Sequence, residues 1–491
     1  MKNSVVWWKF AVVLLLVLGW GGTAWAYRTL NQIQHEVYKE PSALVEEDLR
    51  ALSQRGDLGA KIELANLLSL GNAADAKEAL VLYKDAFADG RGQIVAIGAL
   101  ARLLKQNPRM RLFHSDYMKQ ALRQYPHKQD PRTVNATLEV FLTYPEFFET
   151  SEVTTLIDLY QQSCLIFCRP QLYKAVLAER DGDRETAEYM YRKAIWLDSR
   201  AIVLYYDFMG EKEQDELFPI FAQNLADQKG RLPVETVHNI ATLLDTIYST
   251  QAGLLTIENK KRRKTIDLMV EGPAKEKALD ELETLQREQS KIQHENNLVV
   301  RTWLDNAVER EWLPAMVTKV SYMGTWAGEY SGEEALMLTD RIAETAPQQA
   351  KALHASIYQE STWHLTLAPY KSHEIIKELI TEKFREGQLM LAHLYSRGGL
   401  GESDQEKALE IFRQQARAGA PGAFFSIALI YYRGESWCKD IVEAYAHANA
   451  ARMLGDFRSR GILKRFIQDM TENQLQQALQ RSQELLEKYQ L

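Results

Sequence analysis

The sequence reads as all-α: a right-handed superhelical solenoid of antiparallel helix pairs. Two observations carry this. One pattern is written twice, 36 residues apart, within residues 388–455, and a repeat period between about 20 and 50 residues marks a stacked-unit architecture. Nearly everything after residue 40 also places its apolar residues at helical rather than alternating spacing. A unit of this size cannot bury its own apolar face, so it must stack on its neighbours.

Taken in order, residues 1–26 read as an export signal or an N-terminal anchor. Lys2 and Lys9 precede the apolar run Phe10–Leu18, and Ala24-Trp25-Ala26 offers small residues around a cleavage point before Tyr27. Left uncleaved, the apolar run to Ala26 is at the short limit for a membrane span. Either way, the chain from Tyr27 onward is expected to be exported, to the periplasm. Residues 27–255 read as N-terminal helical repeats. One copy is Leu64-Ala65, Leu67, Gly71, Ala79-Leu80, Tyr83, Ala86 and Gly90, and a more compact one is Leu177-Ala178, Asp181-Gly182-Asp183, Ala187, Tyr191 and Ala194. Residues 256–300 form a charged segment. It holds the basic run Lys260–Lys264, read as a solvated helix start or loop or as a contact for an acidic partner or polyuronate. It also holds a seam of Ala278, Leu282, Leu285, Gln289 and Ile292, whose four-three spacing suits a long helix on a neighbour or an arm leaving the solenoid.

Residues 301–470 carry the regular repeats. Degenerate units are suggested by Ala335, Ala343, Ala346 and Ala350, then Ala352, Ala355 and Tyr358. The clear copies are Leu391-Ala392, Leu394-Tyr395, Gly398, Asp404, Ala408 and Gly419, answered by Ile427-Ala428, Ile430-Tyr431, Gly434, Asp440, Ala444 and Gly455. Small alanines let paired helices approach. Gly398 and Gly434 suit the left-handed closure of a first helix, and Gly419 and Gly455 that of a second. Asp404 and Asp440 suit N-terminal caps. Residues 471–491 read as a capping helix, with Leu475, Ala478, Leu479, Leu485 and Leu486 covering the last pair.

Composition narrows function. Apolar content of 46% and charged content of 25% are those of a folded soluble chain. A formal charge of −7 disfavours nucleic acid as a partner. No phosphate loop, dinucleotide fingerprint or His-Glu-x-x-His occurs. The match Ser436-Trp-Cys-Lys439 falls in an inter-helix loop and lacks the accompanying Ser-Asp-Asn and Lys-Thr-Gly elements. Acid pairs such as Glu333-Glu334 and the run Glu46-Glu47-Asp48 suit helix starts. Tyr205-Tyr206, Tyr431-Tyr432 and Trp326 suit core packing by default, with a sugar-stacking platform as the second reading. Cys164 and Cys168 are either a local disulfide at a distorted helix end or two buried thiols. The ten scattered histidines make no zinc pattern. The expectation is therefore a non-enzyme with no cofactor and no metal.

The pattern Leu-Ala-x-Leu-Tyr-x-x-Gly…Asp-x-x-x-Ala…Gly at 391–419, repeated at 427–455, resembles Sel1-like repeats, relatives of the tetratricopeptide repeat. Obvious copies cover about a third of the chain. The whole layout is similar to the AlgK family of periplasmic alginate-biosynthesis scaffolds. That resemblance implies a non-catalytic scaffold for exopolysaccharide secretion, linking an outer-membrane porin to other protein components and touching the anionic polysaccharide weakly. The sequence departs from the family in one respect: Leu18–Ala26 contains no cysteine to accept a lipid. Two rival functions share the fold, a regulatory adaptor binding a sensor ectodomain and a secreted Sel1-like hydrolase. Within the scaffold reading, residues 388–455 are expected to hold the principal docking surface, because they are the most regular.

Overall fold

Pattern becomes structure through local stops and starts. In the computed structural model residues 28–39, 45–124, 131–163, 169–325, 330–359, 367–398, 400–401, 404–434, 439–456 and 458–489 are described. Among them are 25 α-helices and two short 3-10 turns, and no strand. The helices follow one another as antiparallel pairs, each packed on the next. The export segment 1–26, Cys164, Cys168, Trp326 and Ser436-Trp437-Cys438 lie outside the described residues.

The best-formed pair shows the logic. Pro421 opens helix Pro421–Arg433 at a position where its missing N–H costs nothing. Ala423, Phe424, Ile427 and Ala428 fall on one stripe and are buried. Gly434 ends the helix at φ +69°, and a Cβ there would also meet Lys439 at 3.1 Å. The Asp440 side chain then accepts from the N–H groups of Val442 and Glu443, both at 3.0 Å, and starts helix Ile441–Met453. One repeat earlier the steps recur: Gly398 at φ +76°, then Asp404 accepting from the Lys407 N–H. Both loops are fastened alike, with the N–H of the capping Asp donating at 3.1 Å to the carbonyl of Tyr395 or Tyr431.

One continuous apolar core runs from Ile33 to Ile357, and three smaller ones serve the last repeats. Phe412 and Phe424 are almost completely buried, each contributing about 1.5–3 kcal/mol. Helix Ile441–Met453 is enclosed by helices Pro421–Arg433, Arg458–Ile467 and Glu472–Lys488, and every residue from Ala444 to Ala451 is buried. The final helix therefore covers the last repeat with Ala478, Leu485 and Leu486. Leu479 does not join them; at the edge of that buried stripe it is 42% exposed.

The middle departs from the sequence reading. The run Lys260–Lys264 is neither a helix start nor a loop: it sits near the C-terminal end of the 34-residue helix Val234–Asp267. Cations there meet the negative end of the helix dipole, and Arg262 and Arg263 pair along the helix with Glu258 and Asp267. The partner helix is Pro273–Glu309, packed antiparallel against it. Of the expected seam, Leu282 is buried and Gln289 accepts a hydrogen bond from Asn259 at 2.6 Å, but Ile292 is 54% exposed. Ala343 is also exposed, because helix Gly332–Ala343 is already ending there.

A larger difference concerns the ends. The repeat pattern says nothing of contact between the ends; in the structure the C-terminal repeats return onto the N-terminal ones. The N–H groups of Ala73 and Ala74 donate to the carbonyls of Gly419 and Ala418 at 3.1 and 3.3 Å. Arg385 lies 3.6 Å from Asp75, Arg460 3.1 Å from Asp207 and Lys464 3.2 Å from Asp215, while Lys383 pairs with Glu47. In these four pairs the later segment supplies the cation; Lys261 with Asp469, at 3.8 Å, reverses the sense. Helix Arg458–Ile467 crosses helix Val234–Asp267 at two glycines. A Cβ on Gly461 would stand 2.4 Å from Thr250 Oγ1, and one on Gly253 would stand 3.0 Å from Arg465 Cδ. Superhelical curvature brings the ends into reach, and small residues with opposite charges let them touch.

Candidate interaction surface

Side chains from the first helices of successive repeats line one shared surface. A groove of about 470 Å3 crosses helices Leu313–Thr325, Pro347–Ile357 and Gly387–Arg397. Val320, Leu353 and Ile357 form its floor, and Ser321, Gln359, His393 and Arg397 offer polar atoms. The next first helix continues the line through Ser426, whose Oγ lies 3.3 Å from His393 Nε2. His393 keeps part of its ring exposed within the groove. The surrounding walls desolvate it, and with Arg397 and Arg458 nearby its pKa is pushed down to about 4. It is therefore neutral at pH 7, an uncharged donor or acceptor rather than a cation.

The repeat residues singled out from sequence divide by role. Leu64, Ala79, Ala408, Ile427 and Ala444 are buried in the helix-pair cores, and Leu391, Tyr395 and Tyr431 are half-buried at their edges. Gly90, Gly398, Gly419, Gly434 and Gly455 have positive φ. Gly71 does not; a Cβ there would stand 2.2 Å from Asp75 Oδ2, the carboxylate that closes the Asn72 capping box. Gly71 is small to admit a side chain rather than to bend the backbone. In the compact unit, Gly182 turns at φ +80° and Asp183 caps helix Arg184–Ala194 through the Thr186 N–H at 3.0 Å. Tyr205 and Tyr206 are core residues. Glu334 completes a capping box with Ser331, and Glu46 to Asp48 occupy the first turn of helix Glu46–Gln54.

Sequence reasoning missed the buried charge network that ties the N-terminal repeats together. Arg200 donates to both oxygens of Glu139 at 2.8 and 2.9 Å and to Asp198 at 2.7 Å, with both acids buried. Lys105, a few residues away in the packing, has its pKa pushed down to about 8 by burial and by Arg200. These charges brace the N-terminal repeats. The network's partners lie 61 residues apart in sequence, too far for a local pattern to reveal.

Among the described residues no group of His, Cys, Asp and Glu is disposed to hold a metal ion, and no helix is long and apolar enough to cross a membrane. No protein-family model matches the chain. A search of curated proteins likewise gave no match. Among solved structures the chain is similar to a protective antigen of uropathogenic Escherichia coli strains displaying an SLR fold, with 17% identity over 91% of this chain and 95% of that one and a TM-score of 0.25. It is also similar to a Sel1 repeat protein from Oxalobacter formigenes, with 13% identity over 73% and 91% and a TM-score of 0.23. At such TM-scores the likeness adds nothing to the helix-pair geometry, on which the fold stands by itself.

Proposed function

We propose that the chain is a non-catalytic periplasmic scaffold for an exopolysaccharide, in the first instance alginate, synthesis and secretion complex. The observation that carries this is the groove running across successive first helices, where several repeats contribute side chains to one surface. A solenoid presents such surfaces in series. Holding a porin's periplasmic end on one stretch and a second component on another raises their effective concentration for each other. The export segment supports the compartment, and the resemblance of the repeat layout to alginate scaffolds supports the partners. The groove extends the expected docking region from residues 388–455 back to Leu313. Affinity purification from envelope fractions tests the reading. Wild-type protein should bring down an outer-membrane porin and synthase components, and Ser321→Arg with Arg397→Glu should lose at least one of them. Capture of no envelope component by folded wild-type protein would refute it.

A further inference from the structure

On another face, helices Gln405–Arg417, Ile441–Met453 and Glu472–Lys488 close around a recess of about 220 Å3. Four cations line it, Arg413, Arg417, Arg481 and Lys488, against one acid, Glu443. That acid is already engaged. Arg481 Nε donates to its Oε1 at 2.7 Å, and His447 Nδ1 lies 3.4 Å from its Oε2 and 2.9 Å from its backbone carbonyl. Arg413 and Arg417 stand one turn apart on the same helix and have no ion-pair partner among the described residues. Like charges so placed repel weakly at exposed positions, and an anion between them relieves it; Glu406 and Glu410 of the same helix lie beside both arginines in the neighbouring recess. Tyr431 and Tyr489 complete the wall. All this occurs in a chain whose formal charge is −7.

We propose that this recess binds one acidic sugar, its carboxylate or phosphate held by the guanidinium forks of Arg413 and Arg417 and its ring set against Tyr431 and Tyr489. Guanidinium groups match such oxyanions two bonds at a time, and tyrosines give a ring an apolar face with a polar edge. The recess is smaller than the roughly 300 Å3 at which drug-sized pockets begin, which suits a single ring. His447 is buried in the wall beside Glu443, and burial together with Arg481 and Arg413 holds its pKa below the ordinary value. It adds no charge of its own at pH 7. The choice of a sugar rests on the polysaccharide reading above; the choice of an anion rests on the recess alone.

The test is calorimetric titration of the full chain at low salt with glucuronate, glucose 6-phosphate, inorganic phosphate and glucose. One or both acidic sugars should bind more tightly than inorganic phosphate and glucose, and the tighter of the two identifies the oxyanion. Arg413→Gln with Arg417→Gln, both at exposed positions, should keep the melting temperature and weaken that binding by about tenfold or more. No binding of either acidic sugar would overturn the proposal. So would equal binding of glucose or phosphate, or a double variant that binds as wild type does. Envelope capture, run on the same double variant, should be unchanged, so failure here and failure of the scaffold reading are separable.

Discussion

Replacing Gly461 by Val probes the contact that closes the chain. The new Cβ would stand 2.4 Å from Thr250 Oγ1, well inside the 3.0 Å that Cβ atoms keep from their neighbours, while Thr250 Cβ at 3.6 Å is in ordinary contact. The hydroxyl cannot simply rotate away, because it donates to the Thr246 carbonyl at 2.7 Å. Overpacking of this kind costs about 1–3 kcal/mol. The flanking ion pairs are each worth less than about 1 kcal/mol, since Arg460 and Asp207 are roughly half exposed and Lys464 and Asp215 about a third. The strain therefore exceeds what any one pair holds, and helix Arg458–Ile467 should lift from helix Val234–Asp267. Hydrogen exchange should quicken in 458–467 and 246–261, and the radius of gyration from small-angle scattering should rise. Gly422→Ala is the control: its Cβ meets nothing nearer than 3.5 Å, and removing a helical glycine gains up to about 1 kcal/mol. If Gly461→Val left exchange, scattering and melting temperature unchanged, the argument from close approach would be refuted.

Four further outcomes are expected. Asp245 has its pKa raised to about 6 by burial, and no cation pairs with it among the described residues. Its folded pKa lies above the unfolded one, so ionisation costs stability as pH rises through about 4 to 6; Asp245→Asn should stabilise by about 1–3 kcal/mol at pH 7, a gain that disappears near pH 4 in chemical denaturation. Arg200→Gln strands two buried carboxylates and should cost about 3 kcal/mol or more in the same assay. Gly434→Ala, at positive φ with Lys439 at 3.1 Å, should cost about 1–2 kcal/mol. The ring protons of His393 should titrate near pH 4 by NMR; with the folded pKa depressed, this residue's contribution to stability is present above about pH 6.5 and lost as pH falls toward 4.

The helix-pair repeats were legible because their determinants are local. Gly398 and Gly434 need only their own φ, and Asp404 and Asp440 need only N–H groups two or three residues on. The long helices were half legible. Gly272-Pro273 marks the break between them, yet nothing near Lys260–Lys264 says whether those cations open a helix or end one. That depends on where Val234 begins, two dozen residues earlier. The return of the chain was not legible at all. Arg460 and Asp207 are 253 residues apart, and Gly461 differs from any other helical glycine only in standing opposite Thr250. The recess around His447 is hidden for the same reason: its cations come from helices that the sequence separates and only the stacked repeat brings together.

Carbodiimide cross-linking of the native protein tests the closed solenoid most directly, because it joins amines to carboxylates only where they already touch. Three lysines pair across the seam: Lys383 with Glu47, Lys464 with Asp215 and Lys261 with Asp469. Peptide mass spectrometry of the monomer fraction should find these three links, weakening together at high salt. A monomer linked only between neighbouring repeats, with none of the three, would contradict the account.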